Sequence, residues 1–180
     1  KSATDLTDVL TKGKGTPGVQ AVVNWSIVPA QSIVAKNMKQ LGMTVPLFQS
    51  HGFGNLKYVQ QAGVAAEGIL FPAGRLLVVD ELPDSHPQKQ VLAAYKKDYE
   101  TLYKEDVSTF GGHGYDAFMV VVEGLRKAGS ADREKVRSAI ENLKGFVGTA
   151  GVFNFSPTDH TGLDLDAFEM LAVKDGKFAI

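Results

Sequence analysis

The sequence predicts an α/β fold, a parallel sheet covered by helices, and three observations predict it. Over the first 73 residues, apolar segments alternate between helical and extended periods, the order in which crossover helices join parallel strands. Glycine or proline punctuates the changes of period, as at Gly15-Thr16-Pro17-Gly18 and Gly42, where helices end and turns form. The chain has 180 residues, 44% hydrophobic and 22% charged, a globular composition long enough to bury a core.

Thr4 or Asp5 is placed to cap a first helix with Leu6, Val9 and Leu10 on one face. Val19 to Asn24 reads as a buried strand. A helix is expected from about Pro29 to Leu41, with Ala30, Ile33, Val34, Met38 and Leu41 at helical spacing, proline in its first turn and Gly42 at its end. Val45 to Phe48 is a short strand, Gln49 to Asn55 a loop, Leu56 to Ala62 a brief helix, and Gly68 to Phe71 a strand again.

After Ala73 the pattern changes. Leu76 to Asp80 reads as extended, and Glu81 to Pro87 as an acidic connector. Three helices follow. His86 to Glu105 carries Val91, Leu92, Tyr95, Tyr99 and Leu102, and Tyr115 to Lys127 carries Tyr115, Phe118, Met119, Val122 and Leu125. The third is capped by Ser130, with Asp132 and Glu134 in its first turn and Val136, Ala139, Ile140 and Leu143 on its buried face. Gly151 to Phe155 alternates as a strand, Ser156-Pro157-Thr158-Asp159 turns, and Ala167 to Lys174 alternates again. Asp175-Gly176 is a hairpin signal that returns through Lys177 to Ile180. The three helices between Pro87 and Leu143 have no neighbouring strands of their own to cover, so the chain reads as part of a larger fold.

Composition narrows function. With 19 basic and 20 acidic side chains the net charge is −1, which offers no field for nucleic acid or an anionic membrane. The absence of cysteine excludes disulfides, thiolate metal sites and thiol catalysis. His51, His86, His113 and His160 lack metal-ligand spacing, so no metal and no cofactor is expected. Gly111-Gly112-His113-Gly114 lacks the phosphate-loop patterns and reads as a tight helix entry. No apolar run is long enough to span a bilayer; Phe118 to Val122 is typical. The start at Lys1 fits a mature or truncated product.

The informative places are the carboxyl ends of the expected strands, where open parallel sheets bind ligands. Trp25-Ser26-Ile27 follows the first, and Gln49-Ser50-His51-Gly52-Phe53 follows the second. Together they offer an aromatic wall, a hydroxyl, an imidazole and exposed backbone amides, the composition of a small-molecule pocket. The competing reading is that Trp25 and Phe53 pack the rim of the sheet. Arg75, near another strand end, reads as a surface base, and Asp159-His160 as a solvated turn.

The run GVQAVVNWSIVPAQSIVAKNMKQLGMTVPLFQSHGFGN, the later AAEGILF, the FGGHGYDAFMVVVEGLRKAG helix and the GTAGVFNFSPTDHTGLDLDAFEMLAVKDGKF ending form one series. In that order they resemble the C-terminal half of a type I periplasmic solute-binding protein of the leucine/isoleucine/valine-binding family, which serves ABC importers. The resemblance implies two α/β lobes that close on a ligand, with this chain an incomplete C-terminal fragment. Residues 1–80 would be most of the second lobe, 81–145 a hinge crossover and helices of the first lobe, and 146–180 terminal strands returning to the second lobe and hinge. It implies as partners a membrane permease, the missing N-terminal half and a small-molecule ligand, in a periplasmic or extracytoplasmic location. It also implies that stripes such as Tyr115/Phe118/Val122 lack their native cover in this chain, which favours self-association.

The family's loop after the first strand places Ser26 or Ile27 over the ligand. Its loop after the second carries, in amino-acid binders, an acidic partner for the ammonium group, and here that place falls to His51. An imidazole suits a carboxylate, carbonyl or phenol better than an ammonium, which moves the expected ligand from an amino acid towards a small organic or aromatic acid. The expected site is therefore Trp25, Ser26, Ile27, His51, Gly52 and Phe53, with no catalytic residue. A ligand sensor of the same fold, and a hydrolase using His51 or Asp159/His160, are the competing functions.

Overall fold

The computed structural model describes residues 3–180. They form two compact units, residues 3–73 with 170–180 and residues 74–169.

The first unit is built on a five-stranded sheet in the order β1-β2-β3-β6-β7. β1 (Val22–Asn24), β2 (Leu47–Gln49) and β3 (Leu70–Ala73) run parallel, with Val22 opposite Leu47, Asn24 opposite Gln49, and Phe48 opposite Leu70. β6 (Glu169–Lys174) and β7 (Lys177–Ala179) form an antiparallel hairpin at the far edge. The α/β class with parallel strands stands, and the sheet is mixed because the hairpin completes it. At the hairpin tip Asp175 and Gly176 both have positive φ, 51° and 71°, the backbone that a two-residue turn of matching twist requires.

Three helices serve this sheet: α1 (Thr7–Gly15), α2 (Gln31–Gln40) and α3 (Leu56–Ala62). α1 packs on α2, and α2 on α3. Asp5 accepts a hydrogen bond from the Thr7 amide at the entry to α1, and Leu10 is buried while Val9 is exposed. Gly42, at φ 64°, ends the turn after α2. The core is Val34, Ala35 and Met38 of α2, Val59 and Ala62 of α3, Ile69 just before β3, and Leu47, Phe71, Leu171 and Val173 of the sheet. β1 departs from expectation. It is three residues long, forms one edge of the sheet, and leaves Val23 exposed.

In the second unit, α4 (Lys89–Tyr103), α5 (Thr109–Ala128) and α6 (Arg133–Glu141) accompany a two-stranded antiparallel ribbon of β4 (Phe146–Val147) and β5 (Val152–Phe153). Residues 76–80 are not extended. They lie within a 3-10 segment, Arg75–Glu81, kinked at Val78. Leu76, Val79 and Leu82 of this stretch pack with Leu92 and Val107, flanked by Tyr95 and Tyr99. A second cluster joins Leu143, Ala150, Phe153 and Phe155.

The glycine run 111–114 is helix rather than a lead-in to one. Ser108 caps α5 by accepting from the Gly111 amide. A Cβ at Gly112 would stand 2.7 Å from Thr149 Oγ1 and 2.9 Å from Leu76 Cδ2, so the helix docks where side chains are missing. Its inward line is Gly112, Asp116 and Gly124, whereas Tyr115, Phe118, Val121 and Leu125 are exposed. The cap of α6 is Asp132, which accepts from the Lys135 amide. Ser130 instead accepts from the Asp132 amide one turn earlier.

Candidate functional site

Parallel pairing brings the carboxyl ends of β1 and β2 side by side, Asn24 against Gln49. The loops that leave them are therefore neighbours, and Ser50 stitches them together. Its amide donates to the Asn24 carbonyl at 3.0 Å. Its hydroxyl donates to the Ser26 carbonyl at 2.5 Å and accepts from the Ser26 amide at 3.2 Å. Ser26 Oγ in turn accepts from the Val28 amide at 3.3 Å, which helps shape its turn and leaves its O–H able to donate. Gly52 allows the closest approach: a Cβ there would lie 2.6 Å from the Ser26 carbonyl oxygen and 2.7 Å from Ile27 Cγ2.

The six expected residues divide by burial. Trp25 is 88% exposed and Ile27 69%, two large apolar side chains presented to solvent at a strand end. His51 opens a 3-10 turn, His51–Phe53, and is half-buried. Gly52 is buried in the seam between the loops. Phe53 overturns the expectation of an aromatic wall on both loops, because it is 0% exposed. Its ring packs 5.3 Å from Phe71, 6.3 Å from Phe178 and 6.1 Å from Tyr58, centroid to centroid. For Phe53 the packing alternative is right: it props the His51 turn from beneath. Trp25 does the opposite and packs no rim.

Beneath the loops lies a chain of amides that sequence reading missed. Asn24 Nδ2 donates to Gln49 Oε1 at 2.6 Å, Gln49 Nε2 to the Gln31 carbonyl at 3.0 Å, and Gln31 Nε2 to the Gly52 carbonyl at 3.0 Å. Gln31 and Gln49 are almost wholly buried. Their polarity hid them, because a glutamine at the start of a short amphipathic helix or at the end of a strand reads as a solvated position.

The surface is apolar and aromatic, with an imidazole that can donate to a carboxylate or carbonyl, or accept from a phenol. Neither stretch, 25–30 or 50–55, holds an acidic side chain. Among the described residues no group of three or more His, Asp or Glu is placed to hold a metal, and no helix is long and apolar enough to cross a membrane.

The other flagged residues lie in the second unit. Arg75 donates to the Asp166 carbonyl and forms an ion pair with Glu169 at 2.7 Å, so it is a structural tie. Asp159 Oδ1 accepts from the amides of Thr161 and Gly162, while His160 faces Glu141 at 3.2 Å. The Asp159 carboxylate caps a turn and does not pair with the His160 imidazole, which faces Glu141 instead.

Residues 1–176 match the family model described as periplasmic binding protein. The chain belongs to that family. Within it, the leucine-, isoleucine-, valine-, threonine- and alanine-binding protein of Pseudomonas aeruginosa is 29% identical over 147 residues, 82% of this chain and 35% of that protein. A solved structure from Rhodopseudomonas palustris (strain CGA009) is 26% identical with a TM-score of 0.88, covering 99% of this chain and 52% of the other. An extracellular ligand-binding receptor from Rhodopseudomonas palustris is 30% identical with a TM-score of 0.84, covering 98% and 51%. This periplasmic binding protein thus has the type I fold of the branched-chain amino-acid group, and it spans about half the length of the structures it matches.

Proposed function

We propose that the chain is part of the extracytoplasmic solute receptor of an ABC importer, a binding protein and not an enzyme, and that its first unit supplies one wall of the ligand site. Residues 3–73 with 170–180 would then be the second lobe, and the helices of 74–169 would belong to the first. The observation that carries this reading is the pair of neighbouring strand-end loops, stitched by Ser50, that present Trp25, Ile27 and His51 without an acidic side chain. Such a surface favours a small aromatic or organic acid over an amino acid: the indole stacks on a ring, the imidazole meets a carboxylate or phenol, and neither loop holds a carboxylate to pair with an ammonium group.

The test is a calorimetric titration of the full-length gene product with benzoate, 4-hydroxybenzoate, leucine and isoleucine. An aromatic acid is expected to bind saturably, with the affinity cut by about tenfold or more, about 1.4 kcal/mol, in Trp25→Ala and in His51→Ala. Leucine binding that neither substitution weakens overturns the site, and turnover of any of the four overturns the assignment as a binding protein.

A further inference from the structure

We infer that Gln31 is a positioning residue for the ligand site, and that its buried side-chain amide sets the His51–Phe53 turn at its working distance from the Trp25–Val28 loop. The inference rests on the reading of those loops as a solute site. Gln31 opens α2 and is 1% exposed. Its Nε2 donates to the Gly52 carbonyl, and its backbone carbonyl accepts from Gln49, which accepts from Asn24 at the end of β1. One residue thus joins the start of a helix to the turn that carries His51 through its side chain, and to the ends of two strands through its backbone carbonyl.

Two features separate this amide from ordinary packing. Gln31 Oε1 is buried and, among the described residues, has no hydrogen-bond partner. Rotating the amide would bring that oxygen against the Gly52 carbonyl, so its orientation is fixed by the bond it donates. An apolar residue such as methionine would fill the same space without an orphaned acceptor, and natural cores rarely keep such a group without a use for it. The contact it controls is also unusually tight. At Gly52 the two loops approach too closely for even a methyl group, so a small shift of the Gly52 carbonyl moves His51 relative to Trp25 and Ile27. Misplacement on this scale weakens a site while leaving its residues intact.

The variants are Gln31→Glu and Gln31→Met in the full-length gene product, titrated with benzoate, 4-hydroxybenzoate and leucine at about pH 8 and about pH 5.5, with thermal unfolding recorded alongside. A buried carboxyl has a raised pKa, cannot donate when ionised, and can donate to Gly52 once protonated. The ratio of dissociation constants, Gln31→Glu over unaltered protein, is therefore expected to be about tenfold or more at the higher pH and to fall towards one at the lower. Taking the ratio at each pH cancels the His51 titration common to both proteins, and the uncharged Gln31→Met separates any coupling of the new carboxyl to His51. Gln31→Met is expected to bind more weakly at both. A ratio near one throughout, or a loss that is independent of pH and tracks the melting temperature, overturns the positioning role and leaves the site standing. Failure of the unaltered protein to bind any of the three probes overturns both.

Discussion

Helix α2 turns Val34, Ala35 and Met38 inward, whereas α5 turns Gly112, Asp116 and Gly124 inward and leaves Tyr115, Phe118, Val121 and Leu125 exposed. Both sequences carry an apolar stripe at helical spacing. In the first unit the stripe meets a five-stranded sheet. In the second, the described residues offer only the two-stranded ribbon β4–β5, and α5 holds its unit together through its small residues instead. An apolar period therefore identifies a face that calls for cover, and says nothing about whether the same stretch of chain provides it. The P. aeruginosa and R. palustris relatives, of which this chain spans 35% and 52%, show how much further chain such proteins have.

The sharpest way to break this contrast is to truncate an aromatic ring that the first unit encloses. Phe53→Ala removes a fully buried ring from contact with Phe71, Phe178 and Tyr58. It is expected to cost about 3–5 kcal/mol, read from denaturant unfolding. A loss below about 1 kcal/mol would mean that the site loop is not anchored in the core.

Next in size come two glycines of α5. A Cβ at Gly124 would lie 2.6 Å from Ile140 Cγ1, while nothing lies within 4 Å of one at Gly114. Gly124→Leu is expected to lose about 1–3 kcal/mol by overpacking the α5–α6 contact. Gly114→Ala is expected to gain up to about 1 kcal/mol from helix propensity alone. Equal effects at the two positions would show that α5 does not dock through its small residues.

These positions also show what the sequence could and could not tell. The helix read at Leu56–Ala62 is α3 to the residue, because Asn55 is an N-cap and Gly63, at φ 59°, a stop. The Asp175-Gly176 hairpin was equally plain. Leu76 to Asp80 was misread because a short apolar run has no period to separate a strand from a buried 3-10 turn. The run 111–114 reads as a tight entry that lets Tyr115 pack closely, but it lies inside the helix, and the close approach is at Gly112, to Thr149 and Leu76, while Tyr115 is exposed. The strand-end rule pointed to two loops that the structure places side by side. It could not tell that Trp25 faces solvent and Phe53 the core, or that the bonds setting their spacing come from Gln31, Gln49 and Ser50. Those depend on register and depth, which one sequence does not display.

A smaller effect distinguishes the units by pH. His86 lines a cavity of about 430 Å³ in the second unit with Arg75, Asp164 and Asp166. Burial, then the positive charge of Arg75, holds its pKa below the ordinary 6.5, with Glu169 pulling the other way. The unfolded chain therefore binds the proton more readily. The stability due to neutral His86 is present above pH 6.5 and lost as the pH falls through the lowered folded value. His86→Gln is expected to flatten the pH dependence of unfolding in that window, with hydrogen exchange placing the change in residues 74–169. An unchanged slope, or one that steepens, would show that His86 is not held neutral.

The smallest expected effect closes the contrast with Phe53. Phe118 is 67% exposed on α5, so its ring has little burial to lose, and Phe118→Ala is expected to change stability by no more than about 0.5 kcal/mol. The same substitution that damages the first unit should leave the second nearly untouched. Its effect should instead appear in association, because an exposed stripe of Tyr115, Phe118, Val121 and Leu125 promotes contact between copies. Sedimentation of the 180-residue chain is expected to show weaker self-association for Phe118→Ala than for the unaltered protein. A large loss of stability would mean that α5 buries this face within the chain, and the distinction drawn between the two helices would fail.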